Sequence, residues 1–479
     1  MVYGHFIDNE WVLSGAEDST VNPGTGQDVA SFHHGNEAVL EQAITAARHC
    51  FEKTDWRAKA RQRAQMLLEL ADAIRAKHHE LALMLAHENG KVITQAHHEV
   101  QAAINECVYY AGLARNIFGR TAEYDSGQQS LFTREPIGVA AIIVPWNAPA
   151  TLLIRSLAPA IAAGCTSIIK PAAETSGTHG MLMGCLALCP SLEPGAVVSV
   201  NDGGIEMSKA LVAHEEIDVI SYTGSTSTGK KIMEAAAGTL KRLSLELGGK
   251  SPAVIFEDAD IDLAVAEITR SVTPHTGQMC TAIGRAIVHE SRADEFAMKI
   301  VAAMEAIKIG QADDKPSQMG PLINAEAARR FEANVAEGAE AGEMLLKGQI
   351  LGDNQFPTAC FVSPAVMKLQ DLEHRLIQQE LFAPFLNIET FSTPEEAIER
   401  ANATRYGLSA SVYSEGLRTA KSAARAIKAG TVWLNCHNRL MVEAETGGYR
   451  ESGIGRLHGL EGLAPFMETK HIYSQTEAW

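Results

Sequence analysis

Cys280 lies in the run Thr276-Gly-Gln-Met-Cys-Thr281, and Glu246 opens Glu-Leu-Gly-Gly-Lys-Ser-Pro252 thirty-four residues earlier. A thiol and a carboxylate beside small, flexible residues are the two groups needed to form an acyl-enzyme and to hydrolyse it. The thiolate is a strong nucleophile, and glycine lets a substrate come close to the backbone. A cysteine taken alone is more often an inert, buried small hydrophobe. The reading therefore rests on the elements that must position these two groups.

Apolar Leu40, Ile44, Ala47 and Phe51 recur at helical spacing over 38–52, and the pattern continues over 58–87 through Leu67, Leu70 and Ile74. The unbroken apolar run Val139–Val144 then reads as a strand buried on both faces, stopped by Pro145. Helices at 149–163, 177–188 and 228–237 alternate with strands at 166–169, 196–200, 217–222 and 242–247. The alternation predicts a parallel sheet covered on both faces, an α/β fold. It restarts at 252–256, with a helix from Asp260 and a strand at 284–289, and runs to about 440 as a second α/β unit. The pair Gly248-Gly249 is the candidate boundary, and the tail from His471 reads as a short strand.

Ligands of open α/β sheets gather at the carboxyl ends of strands. Four loops leave predicted strands in that way: Pro145-Trp-Asn147, Lys170-Pro171, Thr223-Gly-Ser-Thr226 and Glu246-Leu-Gly-Gly249. Two segments imitate a nucleotide-triphosphate loop. Gly224–Lys230 lacks the hydroxyl that should follow the lysine, where Lys231 stands, and Gly249-Lys-Ser251 lacks the upstream glycine, where Ser244 stands. The three-glycine dinucleotide fingerprint is absent too. What remains is a Gly/Ser/Thr turn before a helix, fit either to hold a pyrophosphate on backbone amides or simply to cap the helix.

The 479 residues exceed one hydrophobic core, so two or three domains are expected. A net charge of −17 without long blocks of one sign argues against nucleic acid and anionic membranes as partners. No apolar run approaches the ~18 residues of a membrane span, and the first residues show no secretory signal. Eight cysteines without framework spacing fit reduced thiols in a cytoplasmic enzyme. Cys185 and Cys189 lack a second ligand pair, and the His-His pairs at 33–34, 78–79 and 97–98 match no metal spacing, so they are read as surface residues and no metal is expected.

In fixed order, Pro145-Trp-Asn147, Lys170-Pro171, Tyr222–Thr226, Glu246–Pro252, Gly277–Cys280, Gln379–Phe382, Asn402–Ser409 and Gly447–Arg456 resemble the aldehyde dehydrogenase superfamily over nearly the whole chain. The resemblance implies a Rossmann-type cofactor domain (1–118 and 137–248), an α/β catalytic domain (249–450) and a small β bridging element (119–136 and 462–479) that builds homodimers or homotetramers. It assigns Cys280 as nucleophile, Glu246 as general base and Asn147, with the Cys280 N–H, as oxyanion donor. Lys170 is implied on the adenosine ribose and Gly224 and Ser225 along the pyrophosphate. Glu380 is implied on the nicotinamide ribose and Phe382 near the nicotinamide, with Trp146, Ala173 and Leu247 also lining the cofactor. The implied reaction takes an aldehyde through a Cys280 thiohemiacetal and thioester to the acid, with NAD or NADP.

Three departures qualify it. Relatives that prefer NAD carry a carboxylate three positions after the lysine, where this chain has Ala173 with Glu174 one residue late. NADP tolerance follows unless Glu174 swings round to do that work. The lysine and second glutamate that relay the base's proton in many relatives correspond to Ser156 and Leu457. The positions similar to the aldehyde tunnel are Ala148, Leu152, Arg155, Met279, Thr281, Leu440 and Thr446, without a wall of aromatics. Arg155 could fork onto an anionic aldehyde or pair inside the protein. Arg439 could add a second cation or face solvent. The expected substrate is a small anionic semialdehyde, with an aromatic aldehyde as runner-up. A coenzyme-A-acylating relative, which Glu246 disfavours, and a catalytically silent structural member of the fold are the alternative classes.

Overall fold

In the computed structural model, which describes residues 2–352 and 356–475, two strand-rich layers carry the chain. The first sheet has eight strands in the order Gly453–Ile454, Arg242–Glu246, Val219–Thr223, Val139–Ile143, Thr166–Lys170, Val197–Ser199, His5–Ile7 and Glu10–Val12. Its five consecutive strands from Arg242–Glu246 to Val197–Ser199 are parallel, and the flanking strands run antiparallel. Every residue of Val139–Ile143 is buried. Ala140 and Ile142 enter the core under the helices Ala60–Ala76, Ile93–Ala114 and Pro149–Ala163, while Val139, Ala141 and Ile143 enter the core under Glu37–Lys53. A strand feeding two cores has no polar face, which is why the run is apolar throughout.

The second sheet orders Glu343–Leu346, Ala365–Lys368, Phe385–Phe391, Ile283–His289, Ser251–Ile255, Ser409–Tyr413 and Thr431–Leu434, parallel except at its first strand. A three-stranded sheet joins Arg120–Asp125, Gln128–Pro136 and Met467–Gln475. The expected tail strand is thus nine residues long, and residues 476–479 of the expected bridging element lie outside the described residues.

The helical stretch expected over 58–87 is split into Ala60–Ala76 and His78–Asn89, with Lys77 the cap of the first. The helices Ile93–Ala114 and Glu206–Ala213 were not anticipated. Among the described residues no helix is long and apolar enough to cross a membrane. The His pairs are only partly at the surface: His97 stacks on both His78 and His79.

Candidate active site

The four loops leave the carboxyl ends of four adjacent parallel strands and so meet along one edge of the first sheet. Across from that edge, the Cys280 loop joins the turn Pro274–Gly277 to the strand Ile283–His289. His275, Thr276 and Gly277 all take positive φ (47°, 55° and 73°), a costly backbone path for the first two. A Cβ on Gly277 would stand 2.4 Å from the Ala383 carbonyl, so only glycine fits there. Side chains hold the path in place. Thr276 Oγ1 donates to Gly320 O (2.8 Å), Gln278 Nε2 to His275 O (2.9 Å), and Gln278 Oε1 accepts from Ile323 N (2.9 Å).

Asn147 is buried, and its Nδ2 donates to Gln278 O at 3.0 Å, tying the first sheet's edge to the Cys280 loop. A side-chain amide has two N–H groups, so one remains for a developing oxyanion. Lys91 Nζ donates to Asn147 O (2.8 Å) and Asn89 Nδ2 to Trp146 O (3.2 Å). Lys91 is ion-paired with buried Glu99, whose Oε1 accepts from Ala150 N (2.9 Å) at the start of Pro149–Ala163. Ala148 has no capping side chain, so Glu99 from another helix does that work. These supports escaped the sequence reading; only Gly90, left-handed after a helical run, marked the turn that presents Asn89 and Lys91.

Glu246 ends the strand Arg242–Glu246, with Oε1 buried and without a hydrogen-bond partner. Burial pushes its carboxyl up to about 7, although the guanidinium charges of Arg155 and Arg456 pull the other way. Cys280 is half-buried, and its thiol is pushed up to about 12, first by desolvation and next by the Glu380 carboxylate, with Arg155 opposing and Glu246 adding to the rise. The resting thiol is therefore protonated at neutral pH, and a carboxyl near 7 is partly ionised there, as a general base must be. Glu380 lies against the Gly248-Gly249 turn, accepting from Gly249 N (3.3 Å), and burial likewise pushes it to about 7.

Phe382 sits at positive φ (53°), edge-on to Trp146 at 5.8 Å. Ser225 caps the helix Thr226–Ala236 by accepting from Thr228 N (3.3 Å), and the first turn carries no acidic residue. A Cβ on Gly224 would meet Tyr222 Oη at 2.2 Å, and buried Leu247 underlies Gly229. Lys170, at the end of its strand, is lowered by burial and supported by the carboxylates of Asp202 and then Glu174. Ala173 adds no charge. Asp202, which the sequence reading passed over, is 9% exposed and has an Oδ2 without a hydrogen-bond partner. Glycines and hydroxyls at a helix N-terminus, a half-buried ammonium and an unpartnered carboxylate oxygen suit the phosphates and ribose of a dinucleotide.

Among the tunnel candidates, Leu152 and Arg155 are buried, and Met279 and Thr281 flank Cys280, half-buried. Arg155 Nη2 donates to Thr223 Oγ1 (3.1 Å), its Nε has no hydrogen-bond partner, and it makes no salt bridge among the described residues. The internal ion pair weighed for it is absent there. Arg439 instead is exposed and paired with Glu267 (3.1 Å), so it is not a free second cation. Thr281 Oγ1 donates to Asn438 Oδ1 (3.0 Å), and Thr446 is tied by its backbone to Leu457. Ala148 is half-buried and Leu440 exposed. Trp433, absent from the expected set, brings an aromatic ring to this loop, where its Nε1 donates to Arg439 O (3.2 Å). At the positions of the expected proton relay, Ser156 Oγ accepts from Ser221 Oγ (3.0 Å) and Leu457 is buried.

Residues 11–472 match the aldehyde dehydrogenase family. Betaine aldehyde dehydrogenase of Bacillus subtilis is 35% identical over 98% of this chain and 97% of its own length. Human retinal dehydrogenase 2 is 37% identical over 98% and 90%. The solved structure of Staphylococcus aureus betaine aldehyde dehydrogenase in complex with NAD+ superposes with a TM-score of 0.96, at 32% identity, over 99% of this chain and 95% of that one. The segments that resembled the superfamily, and the single crevice into which they fold, agree with these likenesses: the chain belongs to the aldehyde dehydrogenase family.

Proposed function

We propose that this chain oxidises a small, anionic aldehyde to its carboxylic acid with NAD+, using Cys280 as nucleophile, Asn147 as oxyanion donor and Glu246 as general base. The observation that carries the reading is the bond from Asn147 Nδ2 to the Gln278 carbonyl, which sets an amide donor beside a thiol that Glu246 can deprotonate. Glu246 takes the thiol proton and the Cys280 sulfur bonds to the aldehyde carbon. The oxygen, now negative, is met by the free Asn147 N–H and the Cys280 N–H, and such preorganised donors contribute several kcal/mol. NAD+, when bound, accepts the hydride that leaves that carbon. Once Glu246 has passed the thiol proton on to solvent, it removes a proton from the water that attacks the thioester remaining on Cys280. That carboxylate favours water over coenzyme A as acyl acceptor.

Lys170, Asp202, Gly224, Ser225, Leu247, Glu380, Trp146 and Phe382 are the residues for the cofactor. Asp202 and Glu174 put negative charge beside Lys170, which favours a ribose hydroxyl over a 2′-phosphate, so NAD is preferred to NADP despite Ala173. Residues 1–118 and 137–248 form the cofactor domain and 249–450 the catalytic domain. The segments 119–136 and 462–479 join subunits of a dimer or tetramer, a role that exposed Leu131, Ile472 and Tyr473 on the small sheet support. Eight unpaired cysteines fit a reducing, cytoplasmic setting.

Arg155 decides the substrate class. It is a buried guanidinium with no carboxylate at salt-bridge distance among the described residues, although its charge reaches Glu246, so an anionic substrate gives it a direct partner, while the cationic aldehyde named for the betaine relatives meets repulsion. The test is a panel of anionic, neutral aromatic and cationic aldehydes with Arg155→Leu. The substitution is expected to remove activity on the anionic members by roughly a hundredfold and spare the neutral ones. Equal losses on all, or a parent enzyme that prefers the cationic member, would refute charge recognition.

A further inference from the structure

In the Arg242–Glu246 strand, Leu243 and Leu245 belong to the core under Glu37–Lys53, so Arg242, Ser244 and Glu246 share the opposite face, on the side of the helix Pro149–Ala163. The neighbouring strand in register offers Ser221 beside Ser244 and Thr223 beside Glu246. Both of those hydroxyls are engaged: Ser221 Oγ donates to Ser156 Oγ (3.0 Å), and Thr223 Oγ1 accepts from Arg155 (3.1 Å). Ser244 is different. It is 1% exposed, and its Oγ is buried without a hydrogen-bond partner, as is Glu246 Oε1. Unmet polar atoms in a core cost free energy, so two of them in one row call for a reason.

The antiparallel edge strand supplies it. Glu246 pairs with Gly453 and Leu245 with Ile454, which brings Gly455 opposite Ser244. A Cβ at Gly455 would lie 3.4 Å from Ser244 Oγ, and the residue holds φ +88°, so glycine keeps this flank both thin and open. Behind Gly455 is a cavity of about 320 Å³, lined among others by Arg242, Arg456 and Glu461. Arg242 is held at the cavity wall by donating to the Ala464 and Met467 carbonyls and pairing with Glu468. Arg456 lines the cavity, and its charge is felt by Glu246. The carboxyl, the spare hydroxyl and the cavity thus lie in sequence along one strand, about 7 Å apart at alternate residues, a gap that a hydrogen-bonded water spans.

We propose that Ser244 conducts the proton from Glu246 to the cavity behind Gly455, recharging the base without opening the aldehyde side of the crevice. The inference rests on Glu246 acting as the base. The carboxyl proton passes, directly or through one water, to Ser244 Oγ as that hydroxyl releases its own proton toward the cavity. Rotation of the hydroxyl then resets the row. One proton leaves, no electrons move, and no bond between heavy atoms changes. Ser244 touches neither aldehyde nor cofactor and acts only through Glu246.

The test uses the full chain with Ser244→Ala and Ser244→Thr, and follows reduced cofactor in the first turnover and in steady state, across pH, in H2O and D2O. Ser244→Ala should keep a fast first turnover, release later product roughly ten- to a hundredfold more slowly, lose more at acid pH and show a larger solvent isotope effect. Ser244→Thr, which restores the hydroxyl, should recover the three altered readings. An unchanged steady rate and isotope effect in Ser244→Ala, or an equal loss in Ser244→Thr, overturns the relay alone. If the unaltered protein reduces no cofactor with any aldehyde, the oxidation reading falls and the relay with it.

Discussion

The Cys280 loop and the cofactor edge face each other across one crevice and are held in opposite ways. The loop is over-determined: three successive left-handed residues, a glycine that admits no Cβ, and the staples of Thr276 and Gln278 fix it before any ligand arrives. The edge is provisional. Ser225 spends its hydroxyl on its own helix, Glu380 rests on the Gly249 N–H at a long 3.3 Å, and Lys170 is supported by the nearby charges of Asp202 and Glu174. Rigid placement belongs where bonds are made, because a reacting atom displaced by about 1 Å costs on the order of a hundredfold in rate. Exchangeable partners belong where a cofactor must enter and leave.

The sharpest way to break the comparison is at the nucleophile. Cys280→Ala should lower turnover by roughly ten-thousandfold or more while cofactor binding, followed by calorimetry, stays within about twofold. Coupled losses of both would mean that the two sides are one unit. Glu246→Gln comes next, with steady turnover falling by about a hundred- to ten-thousandfold and the first burst of reduced cofactor surviving in part. In the parent, the hydrolytic rate should climb as pH rises through about 7, because the carboxyl is a base only when ionised. Its folded value lies above the unfolded one, so ionising it costs stability increasingly from about pH 4.5 and fully above about 7. Glu246→Gln should therefore raise the melting temperature at pH 8 and leave it unchanged at pH 4. A lowered melting temperature at pH 8 would contradict the burial argument.

Gln278→Ala tests the rigid side without touching the chemistry. It leaves the Ile323 N–H unmet in a buried place, at about 1–3 kcal/mol, and removes one of the two donors to the His275 carbonyl, which keeps the backbone N–H of residue 278 (3.0 Å). The expected result is a lower melting temperature together with a loss in kcat of roughly tenfold to a hundredfold at nearly constant cofactor affinity. A loss in cofactor affinity instead would mean that the staples serve the other side.

The difference between the two sides also explains what could be read from the chain. Cys280, Glu246 and Asn147 sit in short runs that contain glycine or proline, and the strand leading to Asn147 is an unbroken apolar run. Their supports are specified by partners far away. Lys91 reaches Asn147 across 56 residues, and Glu99 caps a helix that starts fifty residues later. The helix Ile93–Ala114 that carries Glu99 hid for the same reason: buried Glu99 and Glu106 interrupt its apolar face, so no clean helical stripe appears. The break at Lys77 lacks both proline and glycine, and Arg439 found Glu267 only through folding.

The smallest expected effect lies on the provisional side, at Asp202. A carboxylate there can accept from a ribose hydroxyl, whereas a 2′-phosphate brings between one and two further negative charges beside it. Lys170 attracts either group, so the balance rests on Asp202 and, more weakly, on exposed Glu174. Asp202→Ser should shift the ratio of kcat/KM for NADP over NAD upward by about tenfold, roughly 1.4 kcal/mol, with kcat itself unchanged. Calorimetry with NADP in the absence of aldehyde should show the same gain as tighter binding. A ratio that does not move, while Glu174→Gln moves it, would transfer the discrimination to the residue beside Ala173. A parent that already prefers NADP would show that this edge is set by its lysine rather than by its carboxylates.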